Sequence, residues 1–187
     1  MRIILNALKS WLPLAAALVF MSGLAYVTVQ QNFRSGANDP QVQMAEDGAR
    51  ALESGQSASA LVPALKVDIA ASLAPYLVIY GPDGQPAAGN GYLHGSLPVL
   101  PAGVFDYAAK DGRNQISWQP EHGVRSAVVI VPVSGGKGGY VMAGRSLREV
   151  ESRVDNLTKL VAAGCAAGLA ATLVLALLLE ILPVKTK

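Results

Sequence analysis

The sequence predicts an α+β fold: a five-stranded antiparallel sheet with an N-terminal helix, flanked by two transmembrane helices, the second continuous with a long exit helix. Three observations predict it. No Asp, Glu, Lys, Arg or His interrupts the 24 residues from Ser10 to Phe33, and a second apolar run extends from Leu160 to Leu179. About 20 apolar residues at 1.5 Å rise cross a hydrocarbon core of roughly 30 Å, so each run is long enough to span. Between them the apolar period changes from helical to alternating, and then returns to helical without a break before the second run.

In chain order, 1–9 reads as a basic cytoplasmic tail and 10–33 as the first span. Gly23 and Ala25 would suit a signal-peptide cleavage site, but the apolar run continues past them through Tyr26, Val27 and Val29, so an uncut anchor is expected. The extracytoplasmic domain is expected over 34–145. Asn38-Asp39-Pro40 offers a cap residue with proline at the first helical position, which predicts a helix start there. Val42, Ala45, Ala49 and Leu52 follow on one face, Glu46, Asp47, Arg50 and Glu53 stay wet, and Ser54-Gly55 ends the pattern. Asp68 is expected to cap a short helix through Leu73.

Tyr76 to Tyr80 is β-branched and aromatic, and Gly81-Pro82-Asp83-Gly84 is a turn, so a hairpin is predicted with 86–91 returning as its second strand. An irregular segment over 92–112 carries a short helix at Val104 to Ala109. Three further strands are predicted at 115–119, 124–133 and 140–146. Ser134-Gly-Gly-Lys-Gly-Gly139 joins the last two as a flexible hairpin tip; it lacks phosphate-loop spacing and opens no helix. A helical stalk over 146–159 leads into the second span, 160–182, and a tail, 183–187. Leu147, Val150, Val154, Leu157 and Val161 form a heptad seam that extends onto Gly164 and Gly168, a small-xxx-small pair. That continuity predicts a homodimer interface.

Charge fixes the expected orientation. Four of the 15 Lys and Arg (Arg2, Lys9, Lys185, Lys187) and one of the 13 acids (Glu180) lie in the tails and spans, leaving 11 basic against 12 acidic residues in the domain and stalk, 34–159. The basic excess belongs to the short tails, so they read as cytoplasmic in a bacterial inner membrane, with the domain in the periplasm. A domain near neutrality offers no nucleic-acid footprint.

The order helix, hairpin, irregular segment, three antiparallel strands and exit helix resembles the PAS-like single Cache sensor domain of bacterial sensor histidine kinases. Gly144-Arg145-Ser146-Leu147-Arg148-Glu149-Val150-Glu151 looks like the final strand passing into the signalling helix of such receptors. After Leu182 only Pro183-Val-Lys-Thr-Lys187 follows, so the resemblance implies neither a HAMP linker nor kinase activity. It implies a sensor-like accessory in signal transduction that acts through a membrane or periplasmic protein partner. The alternative is an assembly factor that docks a protein of an envelope complex and binds no ligand.

The resemblance also implies a small-molecule pocket between the sheet and the irregular segment. Tyr76, Tyr80, Tyr92, Phe105, Tyr107, Trp118 and Tyr140 are the candidate walls, with Asp106 and Arg125 as orienting charges for an amine or a carboxylate. No enzyme, cofactor or metal site is expected. Cys165 is the only cysteine, His94 and His122 are the only histidines, and Glu121-His122 lacks a second ligand at helical spacing.

Overall fold

A computed structural model describes residues 2–135 and 138–181. Gly136 and Lys137 of the expected hairpin tip, and the tail from Leu182 onward, lie outside the described residues. The chain divides into two compact units, one comprising 34–151 and the other joining the segment up to Phe33 to the segment from Ser152 onward.

In the first unit a five-stranded antiparallel sheet has the order β3-β2-β7-β6-β5. Its strands are β2 (Tyr76–Tyr80), β3 (Pro86–Gly89), β5 (Asn114–Glu121), β6 (Val124–Pro132) and β7 (Tyr140–Ser146). All five were expected, within one or two residues at their ends. A two-residue parallel pair, β1 (Val67–Asp68) with β4 (Gly91–Tyr92), was not expected. The prolines fall where a missing N–H is cheap. Pro86 opens one edge strand, and Pro120 sits at an irregularity near the end of the other.

Period-2 alternation splits the sheet into two packed faces. Tyr76, Val78, Tyr80, Val128, Ile130 and Met142 face one core, which Phe105 and Ala108 of helix α3 (Ala102–Asp111) cover. Leu77, Ile79, Val129, Val141 and Ala143 face the other. That face takes Ala45 and Ala49 of helix α1 (Arg2–Glu53), with Val42 and Leu52 at its margin, the residues the helical spacing selects. A Cβ on Gly48 would lie 3.0 Å from Val141 Cγ1, so small residues on this turn permit a close approach to β7. The helix ends as Ser54-Gly55 predicts: Gly55 takes φ +91°, Gln56 N–H donates to Ala51 O at 3.1 Å, and a single-turn helix, α2 (Ala58–Leu61), follows.

Two expected helix starts are corrected. Residues 38–40 lie inside α1, which passes through them without a new N-terminus. A cap signal acts only where the preceding chain is non-helical, and here the preceding turn is helical. Asp68 Oδ1 accepts Ala70 N–H at 2.9 Å, and Asp68 O accepts Ser72 N–H at 2.8 Å, but the turn does not propagate. Asp68 is held in β1 instead, and Ile69 N–H is committed to Tyr92 O at 2.8 Å.

The second unit contains the N-terminal part of α1 and most of α4 (Arg148–Ile181). Both helices are long and apolar enough to cross a membrane. Trp11 Nε1–H donates to Thr172 Oγ1 at 3.0 Å, the methyls of Leu18 face Gly168, and Tyr26 OH lies 3.3 Å from Thr158 Oγ1. Partner numbers fall along α4 as they rise along α1, so the segments pack antiparallel. The buried and half-buried positions of α1 up to Phe33 (Ala7, Trp11, Ala15, Leu18, Ser22, Tyr26, Val29 and Phe33, with Gln30 beside them) recur at steps of 4, 4 and 3 residues, an 11-residue repeat that keeps one face of a nearly straight helix on its neighbour.

Candidate functional site

The described structure gathers a subset of the expected pocket residues onto one cleft of about 350 Å³ at an end of the sheet. The β2–β3 turn contributes Pro82, Asp83, Gly84 and Gln85, α3 contributes Ala102, Phe105 and Asp106, and β7 contributes Tyr140. Local chemistry holds each part in place. Asp83 Oδ1 accepts Gln85 N–H at 3.1 Å, and Gly84, at φ +73°, lets the turn sit against the Phe105 ring. Phe105 lies between Tyr80 and Tyr140, with centroids 5.0 Å and 4.8 Å away in tilted geometry. Tyr80 anchors the stack from below, its hydroxyl donating to Pro98 O at 2.9 Å. Phe105 and Tyr80 are buried, Tyr140 is half-buried, and Asp106 is exposed.

The other expected wall residues go elsewhere. Tyr76 is 1% exposed, in the core, and its ring occupies the space that side chains on Gly91 and Gly144 would need. Burial pushes its hydroxyl up to about 12, with the Ser126 hydroxyl pulling the other way, and neither group makes a hydrogen bond of ordinary geometry. Burial, and then the neighbouring Tyr76, raises Tyr80 further still. Tyr92 lies under Lys66, whose Nζ is 5.3 Å from the ring centroid. Trp118 packs at the core margin on the edge strand β5, and Tyr107 is exposed. Arg125, the expected carboxylate partner, is 2.5 Å from Glu151 Oε1 at the start of α4.

Asp83 was read only as part of a turn and Gln85 was not singled out, and nothing in their spacing marks them as cleft residues. Asn90 was missed altogether. It is buried, accepting Leu77 N–H at 2.7 Å and donating to Leu65 O at 2.9 Å, and it ties β2 to the segment ahead of β1.

At the far end of β7, the strand-to-helix motif makes a second constellation. Arg148 Nη2 donates to Ala70 O at 2.6 Å, and Arg145 Nε donates to Leu73 O at 3.3 Å. Arg145 also pairs with Glu149 at 3.3 Å, while Leu147 N–H donates to Arg125 O at 2.8 Å. The first turn of α4 is thereby tied to β6, to β7 and to the 70–73 segment. A backbone segment that leaves carbonyls free here is matched by two guanidiniums, whose planar forks suit several acceptors at once.

The seam positions fall in both units. Leu147 and Val150 are half-buried in the sheet unit, and Val154, Leu157, Val161 and Gly168 are half-buried in the apolar pair. Gly168 meets Leu18 of the same chain, whereas nothing lies within 4 Å of a Cβ on Gly164. The side of α4 turned to α1 runs through Val161, Cys165, Gly168, Thr172 and Ala176, and Gly164 is exposed.

No metal-holding group of His, Cys, Asp and Glu occurs among the described residues. No protein-family model matches the chain, and no curated protein matches it.

Proposed function

We propose that this is a membrane-anchored sensor-like protein whose sheet domain lies outside the cytoplasmic membrane of a bacterium, and which serves as an accessory in signal transduction through membrane partners. The observation that carries the reading is the path along β7. Its first residue, Tyr140, walls the aromatic cleft, and its last residues pass directly into α4, an unbroken helix whose later part is apolar enough to span. Occupancy of the cleft would bear on β7, and the Arg145 and Arg148 contacts would carry the change into the first turn of α4. The architecture the PAS-like resemblance implies, a hairpin, an irregular segment and three antiparallel strands ending in an exit helix, is consistent with this. A membrane partner, a second copy included, would meet α4 on its Gly164 side, which no other described residue covers.

Docking of a protein partner without a ligand is the second reading. The eight-residue edge strand β5 favours it, since no described strand pairs with its outer side.

Topology is tested in intact cells with a membrane-impermeant thiol reagent. A cysteine at Ala88, on the other edge strand, should label without permeabilisation, and a cysteine at either terminus only after it. Labelling in the reverse order would sink the extracytoplasmic assignment.

A further inference from the structure

We infer that the cleft between the β2–β3 turn and α3 takes a small organic cation, of the primary or quaternary ammonium class. The inference rests on the sensor reading above and decides between the two ligand charges that the sequence leaves open.

The walls are one argument. Tyr140 lines the cleft and is half-buried, its ring held at a tilt against Phe105. An aromatic face attracts a cation through its quadrupole and repels an anion. The cleft is of a size that suits a compact ligand of a few heavy atoms, and it is bounded by Leu100 and Pro82 as well as the rings.

The charges are the other. Asp83 and Asp106 are the carboxylates on the lining, and among the described residues no lysine or arginine lines it. Arg125, which would have selected a carboxylate, is paired with Glu151, and Arg113 is paired with Glu46 at 3.2 Å. Arg145 and Arg148 are spent on the 70–73 carbonyls and on Glu149. One feature pulls the other way. Helix α3 opens at Ala102 on this cleft with Pro101 as its cap, which has no capping side chain. A helix N-terminus amounts to about half a positive charge, and two full carboxylate charges outweigh it. An ammonium ligand would place its charge between Asp106 and the Tyr140 face, with its carbon atoms toward Leu100.

The test uses the full chain in lipid nanodiscs with two probes of opposite charge and similar size, choline chloride and sodium acetate, at matched ionic strength. Choline should raise the melting temperature in a saturable way and acetate should not. Asp106→Asn and Tyr140→Leu should each weaken the choline response by about tenfold, the scale of one lost charge or cation–π contact. Both side chains reach the surface, and an unchanged melting temperature without probe establishes that each variant is folded. If acetate stabilises and Tyr140→Leu abolishes the effect, the cleft is a ligand site of the wrong charge class: the inference falls and the sensor reading stands. If choline stabilises both variants as it does the parent, it binds elsewhere and the inference falls. If neither probe, nor a wider panel of ammonium compounds and carboxylates, moves the melting temperature, the inference and the sensor reading fall together and the docking reading gains.

Discussion

Tyr76 in the sheet unit and Trp11 in the apolar helix pair are both rings with a single polar hydrogen, and the two units treat that hydrogen in opposite ways. Tyr76 buries its ring against Gly144, its cross-strand partner, and against Gly91, and leaves its hydroxyl without a well-formed hydrogen bond. Trp11 is only half-buried, yet its indole N–H is given to Thr172. In a water-soluble core the ring contributes roughly 2–3 kcal/mol by leaving water, enough to offset an unmade hydroxyl bond of about 1–3 kcal/mol. In the bilayer we propose for it, the helix pair would gain nothing by that route. Close contact at small residues and hydrogen bonds between the helices must supply the attraction.

The sharpest way to break the sheet half of this comparison is Gly144→Ala. The new methyl would occupy the space of the Tyr76 ring, and both β7 and β2 are central strands that cannot move aside. We expect a loss of about 3 kcal/mol or more in urea unfolding followed by Trp118 fluorescence in a Trp11→Phe background, at the top of the range for overpacking. Tyr76→Leu should also destabilise. The double variant should cost at least about 1 kcal/mol less than the sum of the two, because the leucine vacates the space the methyl needs. Strict additivity would mean that the ring and Gly144 do not constrain each other.

A smaller effect is expected from pH. The folded-state pKa of Tyr76 is raised to about 12 from 10.0, so its neutral form is favoured by folding. Its contribution is fully present below pH 10 and is lost as pH climbs toward 12, since the unfolded chain ionises first. At pH 11 the loss from this residue amounts to about 1.4 kcal/mol. Tyr76→Phe should remove that share of the alkaline destabilisation. At pH 7 the same variant should be neutral or slightly stabilising, because it deletes a hydroxyl that lacks a partner. An unchanged alkaline profile would place the ionisation elsewhere, with Tyr80 next in line.

Legibility in the sequence followed the strength of the local pattern. The strands of the sheet alternate or run apolar between turn residues, and the α1 face over the sheet repeats at helical spacing, so both could be read directly. The β1–β4 pair is two residues long and has no period to detect. The false helix start at Asn38-Asp39-Pro40 is a genuine cap pattern overridden by the helix already under way. In the cleft, Phe105, Asp106 and Tyr140 were legible because they sit in and beside the irregular segment. Tyr76 was misplaced because residue type does not reveal that its cross-strand neighbour is a glycine. Arg125 was misplaced because its partner, Glu151, lies beyond the domain as drawn. Of the seam positions on α4, Leu147, Val150, Val154, Leu157, Val161 and Gly168 are half-buried and Gly164 is exposed, and spacing alone carries no label for a partner. The complementary spacing from Ala7 through Tyr26 was hidden inside a run that is apolar on every side.

The packing of α1 on α4 is open to the finest test. If the half-buried face of α4 packs on α1 of the same chain, the register set by Leu18 with Gly168 and Tyr26 with Thr158 puts Cys165 between the levels of Leu18 and Ser22. Ser22→Cys should therefore form an intrachain disulfide with Cys165 in oxidised membranes, seen as a faster-migrating monomer on a non-reducing gel. A cysteine at exposed Val19, on another side of α1, should not. Trp11→Phe keeps the ring and deletes the N–H donor to Thr172. Interhelical hydrogen bonds in bilayers average about 0.6 kcal/mol, so the variant should loosen the pair only slightly, by about that amount. The change would register as slower disulfide formation in the Ser22→Cys background, not as loss of the folded sheet. Interchain dimers through Cys165, with no intrachain product, would return the seam to a second copy. The indole would then lose its assigned role, and the contrast with Tyr76 would have to rest on packing alone.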